Sequence, residues 1–558
     1  MRSIINTFSE HGTFVQPETL EYILSKDDPK KFASFLKNNL KEYPLVLTLD
    51  QIKNIEQTSE IEKIPIIPED TMEKKKIQGK MLTKLFDIDL KPETSIDENE
   101  IKYGEINKKD EIEILKPETN EKSMLFLKEI KKVKGWKPKA REYDAEIRII
   151  KDVTGKSTCE GTTKDFVKLF VDRYDFLRKL LRNQRREMAN VIPIDRINKG
   201  GIKEIQIVGI VSEVRTTQNG HKLIEIEDET GSFTSISLKS NRETFQMANE
   251  VVLDEVVGII GYLSKNGDIL VIQNIIFPDV SIQNERYKTN VPICAAFLSD
   301  IHIGSKEFME KQWQAFIRWI NGEIGNSRQS DIASKIKYLV IPGDVVDGIG
   351  IYPDQDKELA ITDLYSQYEA LADQLQLIPD HISIIMQPGN HDAVRPAEPQ
   401  PTFDKEIQNL FSSKDITFIG NPCYFSLNKV EILSYHGQSL LDFATNIQHL
   451  KYNEPVEIMK VMLKKHHLAP SYGGYTPLAP EHSDYMVIDK VPDIFVTGHV
   501  HLAMIGEYRG VTMINASCWQ AQTSYQKMLN FIPDPAKLPI ANLKTGNITM
   551  MDFSKKSF

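Results

Sequence analysis

The rhythm of hydrophobic positions divides the chain into stretches of different character. In residues 19–26 apolar side chains recur at helical spacing. Residues 27–40 then open on acidic Asp27 and Asp28 and an early Pro29, and Phe32, Phe35 and Leu36 follow on one face. Residues 1–50 therefore read as a small helical domain. From 51 to 122 that pattern is lost: charges of both signs alternate, and the only aromatics are Phe86 and Tyr103. Such a composition buries little surface and predicts a flexible linker, with the apolar piece around Ile64, Ile66 and Ile67 as a candidate docking motif.

Helical spacing returns in residues 164–188, where Phe166, Leu169, Phe170, Phe176, Leu177, Leu180 and Leu181 are available for a core. Between 203 and 280 the period shortens to two. Strands are predicted at 204–216, 222–230, 231–239, 256–264 and 268–278, separated by turn signals at Asn219-Gly220, Thr230-Gly231 and Asn266-Gly267-Asp268. Five short strands with a helix nearby predict a small closed barrel of the oligonucleotide-binding (OB) type, serving nucleic acid or a protein partner. Beyond 290, near-continuous apolar runs alternate with helical segments, the pattern of an α/β layered core with strands buried on both faces. The expected domains are a helical piece (1–50), a linker (51–122), an OB barrel with a basic helical segment (123–285) and an α/β domain (290–558).

Charge changes this picture in one place. The chain of 558 residues carries 69 Lys and Arg against 79 Asp and Glu, a net charge of -10. Residues 123–200 nevertheless hold 20 Lys and Arg against 11 Asp and Glu. Arg178, Lys179, Arg182, Arg185 and Arg186 lie at the end of the predicted helix, and Trp136 sits among the lysines of 131–139. A cationic track with an interleaved aromatic suits a nucleic-acid backbone; a solvated helix face has the same composition. Four widely spaced cysteines form no CxxC pair, which excludes a Cys-rich zinc site and a disulfide framework and fits a reducing cytoplasm. No apolar run is long enough to span a bilayer and the start of the chain lacks a secretory core, so a cytoplasmic location is expected. Gly155-Lys156-Ser157 suggests a P-loop, but the required glycine five positions earlier is Ile150.

The chemistry lies in the last half, where ten of the twelve histidines fall. Five polar clusters each follow a buried-type strand: Asp300 and His302; Asp344 and Asp347; Asn390, His391 and Asp392; His436; His499 and His501. Polar groups just past strand C-termini are where α/β folds place ligands. Gly343, Gly389, Gly437 and Gly498 give the chain freedom to turn there. A pair of divalent cations needs a shared carboxylate against their mutual repulsion, completed by neutral imidazoles and oxygen donors. Asp-x-His and His-x-His place two donors on one side if the loop is extended. A nitrogen and oxygen shell without sulfur suits Mn²⁺ foremost, with Fe or Zn²⁺ as alternatives.

These clusters, DxH, GDxxD, GNHD, H and GHxH in order, resemble the calcineurin-like metallophosphoesterase superfamily. The resemblance implies a β-sandwich flanked by helices around a dinuclear metal centre. It implies that Asp300, His302 and His501 hold one metal, that Asn390, His436 and His499 hold the other, and that Asp344 bridges them. His391 would contact the phosphate or protonate the leaving oxygen, held by Asp392, and Asp347 would orient a ligand. The order of barrel and phosphoesterase, with stretches 467–482 and 514–524, is further similar to the small subunits of archaeal family D DNA polymerases and, in layout, to the B-subunits of eukaryotic replicative polymerases. Those relatives imply a 3′→5′ exonuclease acting in proofreading. The implied partners are a large catalytic polymerase subunit and DNA with single-stranded or mismatched 3′ ends, with a sliding clamp or other replisome proteins as further candidates. A stand-alone phosphatase or phosphodiesterase, and a non-catalytic scaffold, stay open. So do two roles for His467, substrate contact or loop anchor, and two for residues 550–558, docking tail or frayed end.

Overall fold

The computed structural model describes residues 136–197, 204–282 and 284–554, with short pieces between 14 and 52. Apart from Ile52, the expected linker lies outside the described residues, as do most of 19–26 and residues 555–558. The chain divides into two units, residues 1–77 and 78–558.

In the first unit the expected helix forms at Pro29–Asn39, with proline at its first position, where the missing N–H is not needed; the expected acidic cap at Asp27 and Asp28 lies outside the described residues. It buries Ala33 and Leu36, and Phe32 and Phe35 stack with centroids 6.2 Å apart. A short parallel pair, β1 (Phe14–Val15) and β2 (Val46–Leu47), accompanies it. Two-residue strands carry no periodicity, so nothing in the sequence announced them.

The second unit holds two six-stranded sheets and a closed barrel. The basic stretch ahead of the barrel contributes more than a helix, because β3 (Ile147–Lys151) pairs antiparallel with a strand far along the chain. The barrel comprises β4 (Ile205–Thr216), β5 (Lys222–Asp228), β6 (Gly231–Ser237), β7 (Val256–Leu263) and β8 (Leu270–Ile276), close to the expected spans. Alternation explains it: Ile205, Ile207, Val211, Ile224, Ile226, Val257 and Ile259 fill the inside. Outward-facing Val208, Val256 and Ile260 receive Tyr174, Leu177 and Leu181 of the helix Thr163–Gln184. That helix starts with a capping box between Thr162 and Asp165. Its inner face also carries Arg173, buried against Asp484 at 2.7 Å and donating to the carbonyls of Asp254 and Pro470.

The remaining strands are β9 (Cys294–Phe297), β10 (Ile336–Pro342), β11 (Ser383–Gln387), β12 (Ile416–Phe418), β13 (Cys423–Leu427), β14 (Val430–Ser434), β15 (Ile494–Thr497), β16 (Met504–Tyr508), β17 (Val511–Asn515), β18 (Lys537–Asn542) and β19 (Ile548–Asp552). One sheet runs β12-β11-β10-β9-β18-β19 and the other β16-β17-β15-β14-β13-β3. Their facing sides share a core of Ala295, Phe297, Val340, Ile385, Phe425, Ile432, Val496 and Ile514. The alternate residues Cys294, Ala296, Leu339 and Ile384 face outward onto helices Glu310–Ile320 and Leu364–Gln376. On the far side of the second sheet, Leu433, Phe495 and Met513 pack on helix Pro455–Lys465. Both faces of each central strand are therefore apolar, which is why their sequences read as continuous runs. Buried Lys465 pairs with Glu255 at 2.6 Å and ties this helix to the barrel.

The structure settles several smaller expectations. Residues 550–554 are neither tail nor frayed end: β19 pairs along β18, and Phe553 is buried against Trp519 and Phe316. His467 anchors a loop, its Nε2 2.9 Å from Asp484 and its Nδ1 accepting the Ala469 N–H. The Gly155-Lys156-Ser157 turn faces a carboxylate, since Ser157 and the amides of Thr158 and Cys159 donate to Glu481. All four cysteines are free. Among the described residues no helix is long and apolar enough to cross a membrane.

Candidate metal centre

The polar loops after β9, β10, β11, β14 and β15 meet at one end of the paired sheets. Their backbones are laced together: Asp300 N–H donates to Gly343, His302 N–H to Asp344 and Gly498 N–H to His436. The loops are not extended as the Asp-x-His and His-x-His spacing suggested. Asp300, His302, Asp344, His499 and His501 all hold left-handed backbone, with φ between 51° and 68°. For residues with a Cβ this costs on the order of 1 kcal/mol or more each, and such strain concentrates at functional sites. The consequence is a split: His501 joins Asp300 and His302, whereas His499 joins Asp344 and His436.

The four glycines act by two different means. Gly343 and Gly437 have positive φ. Gly389 and Gly498 do not, but a Cβ would lie 2.2 Å from Asp344 Oδ1 at the first and 2.0 Å from Ser299 Oγ at the second. They are small so that polar side chains can pass close to the backbone.

In the first group His302 Nε2 and His501 Nε2 stand 3.1 Å apart, with Asp300 Oδ1 3.3 Å from His501 Nε2 and 4.0 Å from His302 Nε2. Asp347 accepts from His302 Nδ1 at 3.0 Å, which leaves the Nε2 lone pair facing inward. In the second group His436 Nδ1 donates to the Pro342 carbonyl, and its Nε2 lies 3.2 Å from Asp344 Oδ2 and 3.0 Å from Asn390 Oδ1. Asp344 Oδ2 is also 3.9 Å from His302 Nε2, so this carboxylate stands between the groups. Donors of each group lie within 4.8 Å of one another.

Electrostatics follow from this crowding. Burial alone would raise the pKa of Asp344, but His436 and His391 hold it well below the carboxylate range. Burial opposes the charge on His436, yet Asp344 and Asp300 raise it to about 10. Burial, then His436, lowers His499 to about 3. Buried carboxylates facing imidazole nitrogens, with no sulfur donor, fit a hard or borderline divalent cation.

Every expected ligand is therefore gathered: Asp300, His302, Asp344, Asn390, His436, His499 and His501. His391 stands at the edge, its Nδ1 2.8 Å from the Asp347 carbonyl and its Nε2 4.0 Å from Asp344 Oδ2. The expectation that Asp392 holds His391 is corrected. The Asp392 carboxylate accepts the amides of Gly389, Val345 and Val346, pinning two loops together, and burial, then Asp344, raises its pKa to about 7. Asp347, expected to orient a ligand, contacts His302 Nδ1 at 3.0 Å. The sequence missed its own supports: Gln520 donates to it at 2.9 Å and Gln355 at 3.1 Å, while the Gln526 amide reaches His501 Nδ1 at 3.0 Å. Glutamine has no signature spacing; only the resemblance of stretch 514–524 pointed toward Gln520. The basic residues lie elsewhere. Lys179, Arg182 and Arg186 are exposed, Arg178 sits over Tyr174 and Arg185 pairs weakly with Glu187, all beside the barrel.

Residues 295–504, which carry most of this centre, match the family of B-subunits of DNA polymerases alpha and epsilon. The chain is 46% identical over 396 residues to the DNA polymerase II small subunit of Archaeoglobus fulgidus, covering 71% of this chain and 78% of that one. Identity to the DNA polymerase II small subunit of Methanocaldococcus jannaschii is 44% over 407 residues, covering 72% and 68%. For that of Methanothermobacter thermautotrophicus it is 41% over 418 residues, covering 75% and 84%. The chain belongs to the family of DNA polymerase II small subunits, as its motifs led us to expect.

Proposed function

We propose that this chain is the exonuclease subunit of a replicative DNA polymerase, removing 3′-terminal nucleotides from unpaired or mismatched DNA ends at a calcineurin-like metallophosphoesterase centre. The observation that carries the proposal is Asp344 Oδ2 placed between two nitrogen and oxygen groups, 3.2 Å from His436 and 3.9 Å from His302. Asp300, His302 and His501 would hold one cation and Asn390, His436 and His499 the other, with Mn²⁺ favoured by the donor set. When bound, such a pair activates water at neutral pH and offsets charge on the phosphoryl oxygens.

The rest of the chemistry belongs to the chain. Hydrolysis forms a bond from water oxygen to phosphorus and breaks the bond from phosphorus to the 3′ oxygen of the penultimate nucleotide, which must gain a proton. His391 would supply it from Nε2 and must enter the step as the imidazolium, because the neutral ring keeps its proton on Nδ1 facing the Asp347 carbonyl; burial disfavours that charge and Asp344 favours it. The Asp347 carbonyl fixes its ring through Nδ1, and Nε2 lies 4.0 Å from Asp344 Oδ2. Asp347 orients His302, and the Asp392 staple keeps the His391 loop against the Asp344 loop. The name small subunit, carried by the relatives, supports a larger polymerising partner. The barrel and the exposed Lys179, Arg182 and Arg186 would guide DNA, and a clamp or other replisome protein would bind the assembly.

The test is the purified chain with Mn²⁺ and a single-stranded oligonucleotide carrying a mismatched 3′ end. Stepwise shortening from the 3′ end is expected. Turnover of small phosphoesters alone would make it a stand-alone phosphodiesterase. Metal binding without hydrolysis would make it a scaffold.

A further inference from the structure

Aromatic side chains from three separate segments lie near the centre. Tyr352 follows the Asp347 loop, and its ring centroid lies 6.5 Å from that of His391. Tyr525, on the short helix Ser524–Met528, stacks on Tyr352 with centroids 5.8 Å apart and planes 24° from parallel. Its neighbour Gln526 contacts His501, so the stack spans from the His391 edge to the ligand shell. Tyr452 reaches in from a third loop: it packs on Phe531, and its phenol is held neutral by burial and then by Asp300.

This surface is more apolar than the chemistry of the centre requires. Tyr525 is 46% exposed, and Ile351 and Met528, beside the two stacked rings in the chain, are exposed as well. Exposed apolar groups that gather into one patch mark a surface for a ligand or partner. Tyr352, 6.5 Å from His391 between ring centroids, lies within one nucleotide's reach of it. We infer that Tyr352 and Tyr525 form a stacking platform for the terminal nucleobase, so that the centre prefers ends whose last base is free to unstack from a duplex. The inference rests on the exonuclease reading and adds to it a means of choosing unpaired ends. Base-on-aromatic stacking contributes roughly 1–3 kcal/mol, about 5- to 150-fold in affinity, without sequence preference. A paired terminal base must first be extruded, which costs a few kcal/mol more.

The experiment compares two single-stranded oligonucleotides, identical except that one ends in a normal nucleotide and the other in an abasic residue. The full chain is loaded with Mn²⁺. Turnover gives KM and kcat; fluorescence anisotropy with phosphorothioate-blocked ends gives Kd independently of cleavage. The wild-type chain is expected to favour the base-bearing end by about 5- to 150-fold, mainly in KM and Kd. The double variant Tyr352→Ala/Tyr525→Ala is expected to reduce that preference to within about twofold, while Tyr352→Phe/Tyr525→Trp preserves it. Mn²⁺ titration of each variant checks that the ligand shell is intact. Equal handling of the two ends by the wild-type chain overturns the platform, as does a double variant that keeps the preference. If the alanine variant keeps its preference but no longer associates with a large polymerase subunit, the tyrosines form a protein contact and the inference is wrong. Binding with the expected preference but no cleavage would overturn the exonuclease reading and leave the platform supported.

Discussion

His302 and His501, 199 positions apart in the chain, bring their Nε2 atoms to 3.1 Å from one another. Two imidazole nitrogens at that distance, with Asp300 alongside, are held together best by a cation that both can ligate. Adding Mn²⁺ to chelator-treated protein is therefore expected to raise Tm, since a ligand bound only by the folded state stabilises by about 2.7 kcal/mol at a hundredfold excess over Kd. His302→Ala and His501→Ala should each remove most of that shift. Calorimetric scans with and without the ion decide it, and equal shifts in wild type and variants would disprove the ligand assignment.

Asp347 works one step removed. It touches His302 Nδ1 and is itself held by Gln355 and Gln520. Asp347→Ala is expected to weaken metal affinity or activity by about 10- to 100-fold, with the fold intact. Isothermal titration with Mn²⁺ measures the first and oligonucleotide turnover the second. Unchanged values for both would mean that the carboxylate does not orient the ring.

The acid role proposed for His391 can be told apart from the proposed ligand roles, since its Nδ1 faces the Asp347 carbonyl and its Nε2 stands 4.0 Å from Asp344 Oδ2. His391→Ala is expected to lower turnover by about 100-fold or more while leaving Mn²⁺ affinity within about threefold, general acid–base contributions being of that size. An equal loss of metal binding would place His391 among the ligands.

His467 makes stability depend on acid. Burial, with Arg173 nearby, lowers its pKa to about 4 from an ordinary 6.5. Below 6.5 the unfolded chain takes up a proton that the folded chain refuses, so stability falls as pH drops from 6.5 toward 4. A difference of 2.5 pH units corresponds to about 3 kcal/mol. Asp484, depressed by Arg173 and His467 against its own burial, adds a further loss only below its ordinary 3.8. Urea unfolding at pH 7.5, 5.5 and 4.5 should show His467→Gln less stable than wild type at the first and closing the gap by the last. Parallel pH dependence in the two proteins would refute this.

Much of the fold was legible before any coordinates. The barrel strands announced themselves by period-two alternation ending at Asn219-Gly220 and Thr230-Gly231. The double-sided burial of strands such as Ile336–Pro342 showed as an uninterrupted apolar run. The helix Thr163–Gln184 was visible from its spacing, but its buried Arg173 was not, because the partner Asp484 is 311 residues away and its position is known only after folding.

The centre divides in the same way. Ligand types and their order were written in the sequence, since each stands a few residues beyond a strand and must emerge at the same end of the sheets. The resemblance also implied which donor joins which group, and the structure gathers the same sets; the backbone that divides them was not legible. Left-handed backbone at His499 and His501 turns neighbours in a His-x-His pair toward different carboxylates, and φ is fixed by the loops packed against them. The resemblance had Asp392 hold His391, yet the fold points its carboxylate at the amides of Val345, Val346 and Gly389. Local sequence determines which residues arrive at a surface, because strand length and turn position are local properties. Their aim is decided by contacts between segments hundreds of residues apart, and only the assembled sheets bring those segments together.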